Sequence, residues 1–194
     1  MSETATSDAD RFLALLTPIE RDLETYCRRL IWEPQEAPDA LQNAVMRAFA
    51  AFNRYHEGAS FRAWMFKILT HEAFALNRKH ARIARHEFQL EPEELARLPY
   101  MGEPERDSSQ PLSPETLNGV LEPALAAGLK TLTDTERAVL LLRAIGELRY
   151  REIGDSLGIP LGSVMGNLSR ARQKMRAYIT RAERRTQLLK ENGI

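Results

Sequence analysis

Apolar residues recur along this chain at three- and four-residue steps, and the strict apolar–polar alternation of a half-buried strand is missing. Stripes of that period are buried by packing helix on helix, so an all-α fold is expected. The spacing predicts a first helix over residues 8–30, with Phe12, Leu15, Leu16, Ile19, Leu23 and Tyr26 on one face. Pro18 inside that pattern predicts a kink or a break. A second helix is expected over 38–52, with Leu41, Val45, Ala48, Phe49 and Phe52 inward. A third starts near Ser60, which is placed to cap it. It carries Phe61, Trp64, Met65, Ile68 and Leu69, then Ala73, Phe74 and Leu76, toward Ile83.

The pattern then stops. Prolines 92, 99, 104, 111 and 114 punctuate the next stretch, and 103–113 is polar. Glu87, Glu91, Glu93, Glu94, Glu103, Glu105 and Asp107 outnumber Arg97 and Arg106. Such a composition buries too little apolar surface to pack by itself. It divides the chain into a helical domain over 8–85, a flexible acidic, Pro-rich linker over 86–122, a second helical domain over 123–182 and a polar tail over 183–194. The linker's acids read equally well as a solubilising feature or as a strip suited to a basic channel in a partner.

Helical spacing resumes at Leu121, with Leu125, Leu129 and Leu132. Thr133 followed by Glu136 predicts a capping box for a helix that buries Ala138, Val139, Leu141, Leu142 and Ile145 and ends at Gly146. Next comes YREIGDSLGIPLGSVMGNLSRARQKMRAYI (150–179). Ile153 and Leu157 share a face of a short helix, and Gly158-Ile159-Pro160 breaks it. Ser163 is a candidate N-cap for the helix that follows, which buries Val164, Leu168, Ala171, Met175 and Ile179. Its other faces show Asn167, Arg170, Arg172, Gln173, Lys174 and Arg176, with no acid until Glu183. This is a helix-turn-helix pattern, and its one-signed charge points to a polyanion.

Composition limits the alternatives. The 194 residues hold 27 basic and 27 acidic side chains, a formal net charge of +0, so any nucleic-acid surface is local. Cys27 is the single cysteine, which excludes an internal disulfide and fits a reducing cytoplasm. The first residues, MSETATSDADR, are unlike a signal peptide, and no apolar run approaches the roughly 20 residues that span a bilayer. The four histidines show no metal-ligand spacing; His71-Glu72 is followed by Ala73, Phe74 and Ala75 rather than completing H-E-x-x-H. Phosphate loops and nucleophile elbows are also missing, so neither catalysis, a metal, a cofactor nor a small-molecule substrate is expected.

These segments resemble a known family, the sigma-70 factors of bacterial RNA polymerase, in their two-domain extracytoplasmic-function group. PDALQNAVMRAFAAFNRY (38–55) is similar to the family's D-L-V-Q-E-x-F-x-R-A-W segment at Asp39, Gln42, Arg47 and Phe49. FRAWMFKILTHEAFALNRKHAR (61–82) resembles F-R-x-W-L-x-x-I-x-x-N and the basic run after it. LTDTERAVLLLRAIGELRYREIGDSLGIPLGSVMGNLSRARQKM (132–175) resembles L-P-x-x-x-R-x-V-L-x-L-R, then Y-x-E-I-A-x-x-L-G-I-P-x-G-T-V-x-S-R-L-x-R-A-R. The resemblance implies a transcription initiation factor that binds core RNA polymerase through its beta-prime and beta subunits. It implies polymerase docking at Asp39, Gln42, Asn43 and Arg47. It places the minus-10 melting element against Arg62, Trp64, Lys67, His71 and Arg78, with Lys79 and Arg82 from the same basic run and Tyr55 from the loop before it. The loop's Tyr55, His56 and Phe61 suit a pocket for an unstacked base. Minus-35 readout falls to Arg143, Ser163, Met165, Asn167, Arg170, Arg172 and Lys174. An anti-sigma factor is the implied inhibitor.

Two departures fall where specificity lies. His71 stands where the family has Asn, and Met165-Gly166-Asn167 replaces x-S-R. Gly166 and Asn167 motivate one alternative, a sigma-like decoy that binds an anti-sigma factor; the helix-turn-helix alone leaves a second, a regulator independent of polymerase.

Overall fold

The computed structural model describes residues 7–56, 58–88 and 121–191. They form helices and turns, with eight α-helices among the described residues. The linker expected over 86–122 lies mostly outside them. Its two ends do not: a helix continues to Phe88, and the next begins at Leu121.

The N-terminal bundle has four helices. Ser7 caps α1 (Asp8–Leu16) in a capping box with Asp10. At Pro18 the chain tightens into a single 3₁₀ turn before α2 (Glu20–Leu30), so the expected 8–30 helix is two. α3 (Ala37–Ala50) follows, then α4 (Phe61–Phe88). Two expected core positions are exposed instead. Phe12 and Leu16, four apart, set the buried line of α1 and leave Leu15 on its flank. On α3 the buried line is Ala37, Ala40, Ala44 and Ala48, which turns Phe49 outward to 47% exposure. Small side chains let α3 lie close along α4, and Phe49 keeps only an edge contact with Phe12 at 5.4 Å.

Buried polar atoms hold this bundle together. The Thr70 hydroxyl has one proton and donates it to Phe66 O at 2.6 Å, so the Tyr26 hydroxyl is the donor in the 2.6 Å contact with Thr70. Burial raises the Tyr26 pKa far above the ordinary phenol range. Burial likewise pushes the Cys27 thiol up to about 12, which leaves it an inert packing residue. Asn77 accepts from Trp32 N at 3.0 Å and donates to Leu30 O at 3.3 Å, tying the end of α2 to α4.

The C-terminal bundle comprises α5 (Leu121–Lys130), α6 (Asp134–Ala144), α7 (Tyr150–Leu157) and α8 (Leu161–Glu191). The Thr133–Glu136 capping box forms as the sequence indicates. Gly158 closes α7 with φ 66°, the left-handed corner that glycine adopts without strain. The Pro160 carbonyl takes the first hydrogen bond of α8, from Val164 N at 3.1 Å. Ser163 is therefore inside the first turn rather than its cap. The helix starts at Leu161, three residues earlier than a Ser163 cap would have started it.

The bundles dock on each other. Arg62 donates to Gly146 O, Ile145 O and Asp22, each at 2.7 Å. Trp32 Nε1 reaches Asp134 at 3.1 Å, and His71 Nε2 lies 3.2 Å from Ser156 O. Arg137 donates to Leu129 O at 2.9 Å and to Leu30 O and Leu132 O at 3.5 Å. Its guanidinium thus sits against the C-terminal carbonyls of α2 and near those of α5, where a cation is favoured. Beside it an open cleft of about 1060 Å³ runs between α2 and the second bundle, lined by Arg21, Arg28, Arg29, Trp32 and Lys130 among others.

Candidate nucleic-acid interface

Helical geometry decides which of the expected reading residues can act together. On α8 the buried line is Val164, Leu168, Ala171 and Met175. At 3.6 residues per turn, Ser163, Asn167, Arg170 and Lys174 fall on one flank of that line. Met165 and Arg172 fall on the opposite flank, joined by Arg176 four residues on. The seven expected residues are therefore not one patch. Directly opposite the buried line stand Gly162, Gly166, Ser169 and Gln173.

The first flank is a connected chain of polar contacts. Asn167 Nδ2 donates to Ser163 O at 2.7 Å, and Arg170 Nη2 donates to Asn167 Oδ1 at 3.2 Å. Lys174 Nζ lies 3.0 and 2.8 Å from the two Glu136 oxygens, and Arg170 Nε lies 3.6 Å from Oε1. Glu136 is only 3% exposed. Burial pushes its pKa up, but hydrogen bonds from Lys174 and Thr133 outweigh that, and the net shift is downward. The carboxylate is charged at neutral pH.

Arg143 is exposed, but its guanidinium is engaged within the supporting turn. It donates to Leu148 O at 3.1 Å and lies over the Tyr150 ring at 5.7 Å, bracing the turn before α7.

In the N-terminal bundle, Trp64, Lys67, His71, Arg78 and Arg82 recur along one face of α4, away from its buried line of Met65, Leu69 and Ala73. Lys79 is exposed on the edge of that face. Arg62 is elsewhere, on the side that meets Asp22 and the second bundle. Its three hydrogen bonds engage Nε and Nη2, so it does not join the face expected to meet the minus-10 element in this arrangement.

The pocket expected from Tyr55, His56 and Phe61 is filled. Phe61 is buried, and Tyr55 stacks on Phe52 with ring centroids 5.8 Å apart. Tyr55 and Phe61 both touch Trp64, at 5.5 and 5.7 Å. The Tyr55 hydroxyl donates to Ala59 O at 2.7 Å. Rings that pack this closely on one another gain more than rings held open in water, so the aromatic group forms the wall of the loop rather than a cavity.

On α3, Asp39, Gln42 and Asn43 are exposed on one face. Met46 and Phe49 share it, 63% and 47% exposed. Arg47 lies at the edge of the face and pairs with Glu72 of α4 at 2.8 Å.

A four-helix unit with an exposed mixed face, followed by a helix-turn-helix unit with a cationic last helix, has a match on both halves. Residues 15–83 match the family described as Sigma-70 region 2, and residues 124–175 match Sigma-70, region 4. The chain belongs to the sigma-70 family. Its relatives place it in the extracytoplasmic-function group. It is 30% identical over 155 residues to the ECF RNA polymerase sigma factor SigE of Mycolicibacterium smegmatis, covering 79% of this chain and 55% of that protein. It is 29% identical over 175 residues to SigG of Mycobacterium tuberculosis, covering 84% and 47%. The chain thus spans about half the length of these two. Against SigW of Bacillus subtilis the identity is 26% over 178 residues, covering 89% and 90%. Two solved structures share the fold. RpoE, in complex with the anti-sigma factor NepR from Bartonella quintana, has a TM-score of 0.70 at 19% identity, covering 88% of this chain and 97% of that one. CnrH, in complex with the cytosolic domain of CnrY, has a TM-score of 0.60 at 23% identity, covering 89% of each.

Some parts of this sigma-70 family member are invisible to sequence periodicity. Glu136 reads as a capping residue only, yet it is the anion that two α8 cations share. Met46 reads as a non-core position of α3, and its exposure beside Phe49 emerges only once the alanine line is seen to be the buried one. The alanine spacing itself, Ala37, Ala40, Ala44 and Ala48, was the available signal. No helix among the described residues is long and apolar enough to cross a membrane.

Proposed function

We propose that this chain is a promoter-directing initiation factor without catalytic chemistry of its own, working in the cytoplasm with core RNA polymerase. The observation that carries the reading is the pairing of two kinds of surface on two helical units: an uncharged-to-mixed docking face on α3, and cationic faces on α4 and α8. The α3 face, with Asp39, Gln42, Asn43, Met46 and Phe49, suits a protein partner, because exposed apolar side chains rimmed by polar ones mark such surfaces. Arg47 lies at its edge. This face docks on the polymerase, whose beta-prime and beta subunits hold the two domains.

The α4 face carries cations beside the half-buried Trp64, the combination that single-stranded DNA needs. Lys67, His71, Arg78, Lys79 and Arg82 track the melted minus-10 strand. Tyr55 acts through its packing on Trp64, and Arg62 and His71, both bonded to the second bundle, are available only after the bundles part. α8 enters the major groove at the minus-35 element, where arginine reads guanine edges and other cations reach phosphate. Residues 8–85 and 123–182 form the two working domains, joined by 86–122 and followed by the 183–194 tail.

Promoter elements about 25 base pairs apart lie on the order of 85 Å apart on B-form DNA. Arg62 and Gly146 are 2.7 Å apart. The docked bundles must separate for one molecule to read both elements, and polymerase supplies the scaffold that holds them apart. The docked form suits storage by an anti-sigma factor, such as the NepR bound to RpoE in one structural neighbour.

Run-off transcription with core polymerase on a library of random-sequence templates tests this. The expected result is discrete products that depend on the added chain and share two sequence elements. Duplex binding without polymerase, and no transcript with it, would instead identify a helix-turn-helix regulator. Absence of both, with tight binding of an anti-sigma factor, would identify a decoy. Asn167 speaks against the decoy, because it orients Arg170 rather than leaving the flank bare.

A further inference from the structure

We infer that Glu136, on the supporting helix α6, is a positioning residue for DNA recognition by α8: it holds Arg170 and Lys174 along one flank and cancels part of their charge. This rests on the proposed promoter reading and adds a residue that does not itself touch DNA.

The geometry has three parts. Glu136 is at the third position of α6, where its carboxylate accepts from Thr133 N at 3.0 Å, which fixes the side chain's direction. With that end tied down, the same oxygens meet Lys174 Nζ at 2.8 and 3.0 Å and approach Arg170 Nε at 3.6 Å. Arg170 is also held from the other side by Asn167 Oδ1 at 3.2 Å. Its guanidinium then lies over Gly166, where an added Cβ would stand 3.5 Å from Nη1. A long, rotatable cation is thereby confined to one orientation before any ligand arrives, and the ordering entropy is already spent.

The charge consequence is separable from the structural one. A freely exposed lysine releases about one counterion when it meets a phosphate, whereas a lysine already paired with a carboxylate releases less. Glu136 therefore lowers attraction to any duplex while leaving the oriented Arg170 for the right one, which raises discrimination at the expense of raw affinity. On the opposite flank Arg172 has no acid of α6 beside it in this way, so it carries the sequence-independent attraction.

The test uses the full chain assembled with core polymerase, and as probe a 40-base-pair duplex of random sequence. Glu136→Gln keeps an oxygen for Thr133 N, so the cap survives while the charge goes. Its slope of log affinity against log salt is expected to steepen by about one, with roughly three- to tenfold tighter binding at low salt. Selection from a random duplex library should show a loss of about tenfold in preference for the best minus-35 sequences. Glu136→Asp, which keeps the charge, should retain a slope close to the natural one. Unchanged slope and unchanged preference in Glu136→Gln would overturn the inference, because a purely structural cap has no reason to alter either and its loss would show only in melting. Should Glu136→Gln fail to fold, Lys174→Met decides: its slope should fall by less than half as much as that of Arg172→Met, and equal falls would overturn the inference. A natural chain that, with polymerase, holds no duplex at all would sink the promoter reading, and this inference with it.

Discussion

Gly146 has no room for a side chain. A Cβ there would lie 2.6 Å from Leu142 O, and the residue's own carbonyl accepts from Arg62. Gly146→Ala forces the backbone to move and should cost about 1–3 kcal/mol, seen as a lower urea midpoint with an unchanged slope. Glu136 gives a pH prediction. Its folded pKa is depressed, so it contributes stability that is fully present above the ordinary glutamate value, near 4.3, and is lost as pH falls through the lower folded value. Acid titration of stability should therefore be steeper for the natural chain than for Glu136→Gln below about pH 4.3, with the two curves parallel above about pH 6. Parallel curves throughout would mean that the carboxylate's partners contribute nothing to the folded state. The cap was legible in Thr133-Asp134-Thr135-Glu136 because its hydrogen bonds are local. The pairing with Lys174 was not, because it joins residues 38 positions apart.

At the scale of single helices, the outward faces carry the function and the inward faces the stability. Met46 is 63% exposed on α3, so Met46→Glu should change stability by no more than about 0.5 kcal/mol. It places a charge in the middle of the proposed polymerase-docking face, and affinity for core polymerase should fall about tenfold or more, ~1.4 kcal/mol. Competition against the natural chain for core polymerase reads this directly. On α8, Arg170→Ala and Arg172→Ala should each weaken binding to the selected minus-35 duplex by roughly 1–3 kcal/mol. Arg170→Ala should also relax sequence preference, while Arg172→Ala should lower affinity for every sequence alike. Periodicity gave the buried line of α8 because helix geometry alone dictates which residues share a face. It misjudged α3 because hydrophobicity favours Phe49 over Ala44 as a core residue, while close packing against α4 favours the alanines.

The whole molecule is set by how the two bundles meet. Arg62 spans them, with three acceptors within 2.7 Å. Arg62→Ala leaves Asp22, Ile145 O and Gly146 O without that donor and should release the bundles from each other. The radius of gyration from small-angle scattering should rise while helical circular dichroism is retained. An unchanged radius would mean that Trp32, Arg137 and His71 hold the docked form unaided. The expectation that Arg62 faces DNA came from its place in the F-R-x-W pattern. A side chain that long reaches whichever neighbour the tertiary arrangement offers, and here that neighbour is the second bundle.

The sequence by itself determined the helical class, the positions of most helices, the capping box at Thr133, the break at Gly158 and the membership of a family with two separate domains. Each follows from interactions between residues a few positions apart, or from motifs read in order, and so is written locally. Tertiary structure alone decided that Glu136 binds the α8 cations, that Arg62 is a bridge, that Tyr55 and Phe61 close a pocket, and that Phe49 faces outward. Those outcomes depend on which distant surfaces come within hydrogen-bond or van der Waals reach. That distance is fixed by the packing of whole helices, and no local spacing encodes it.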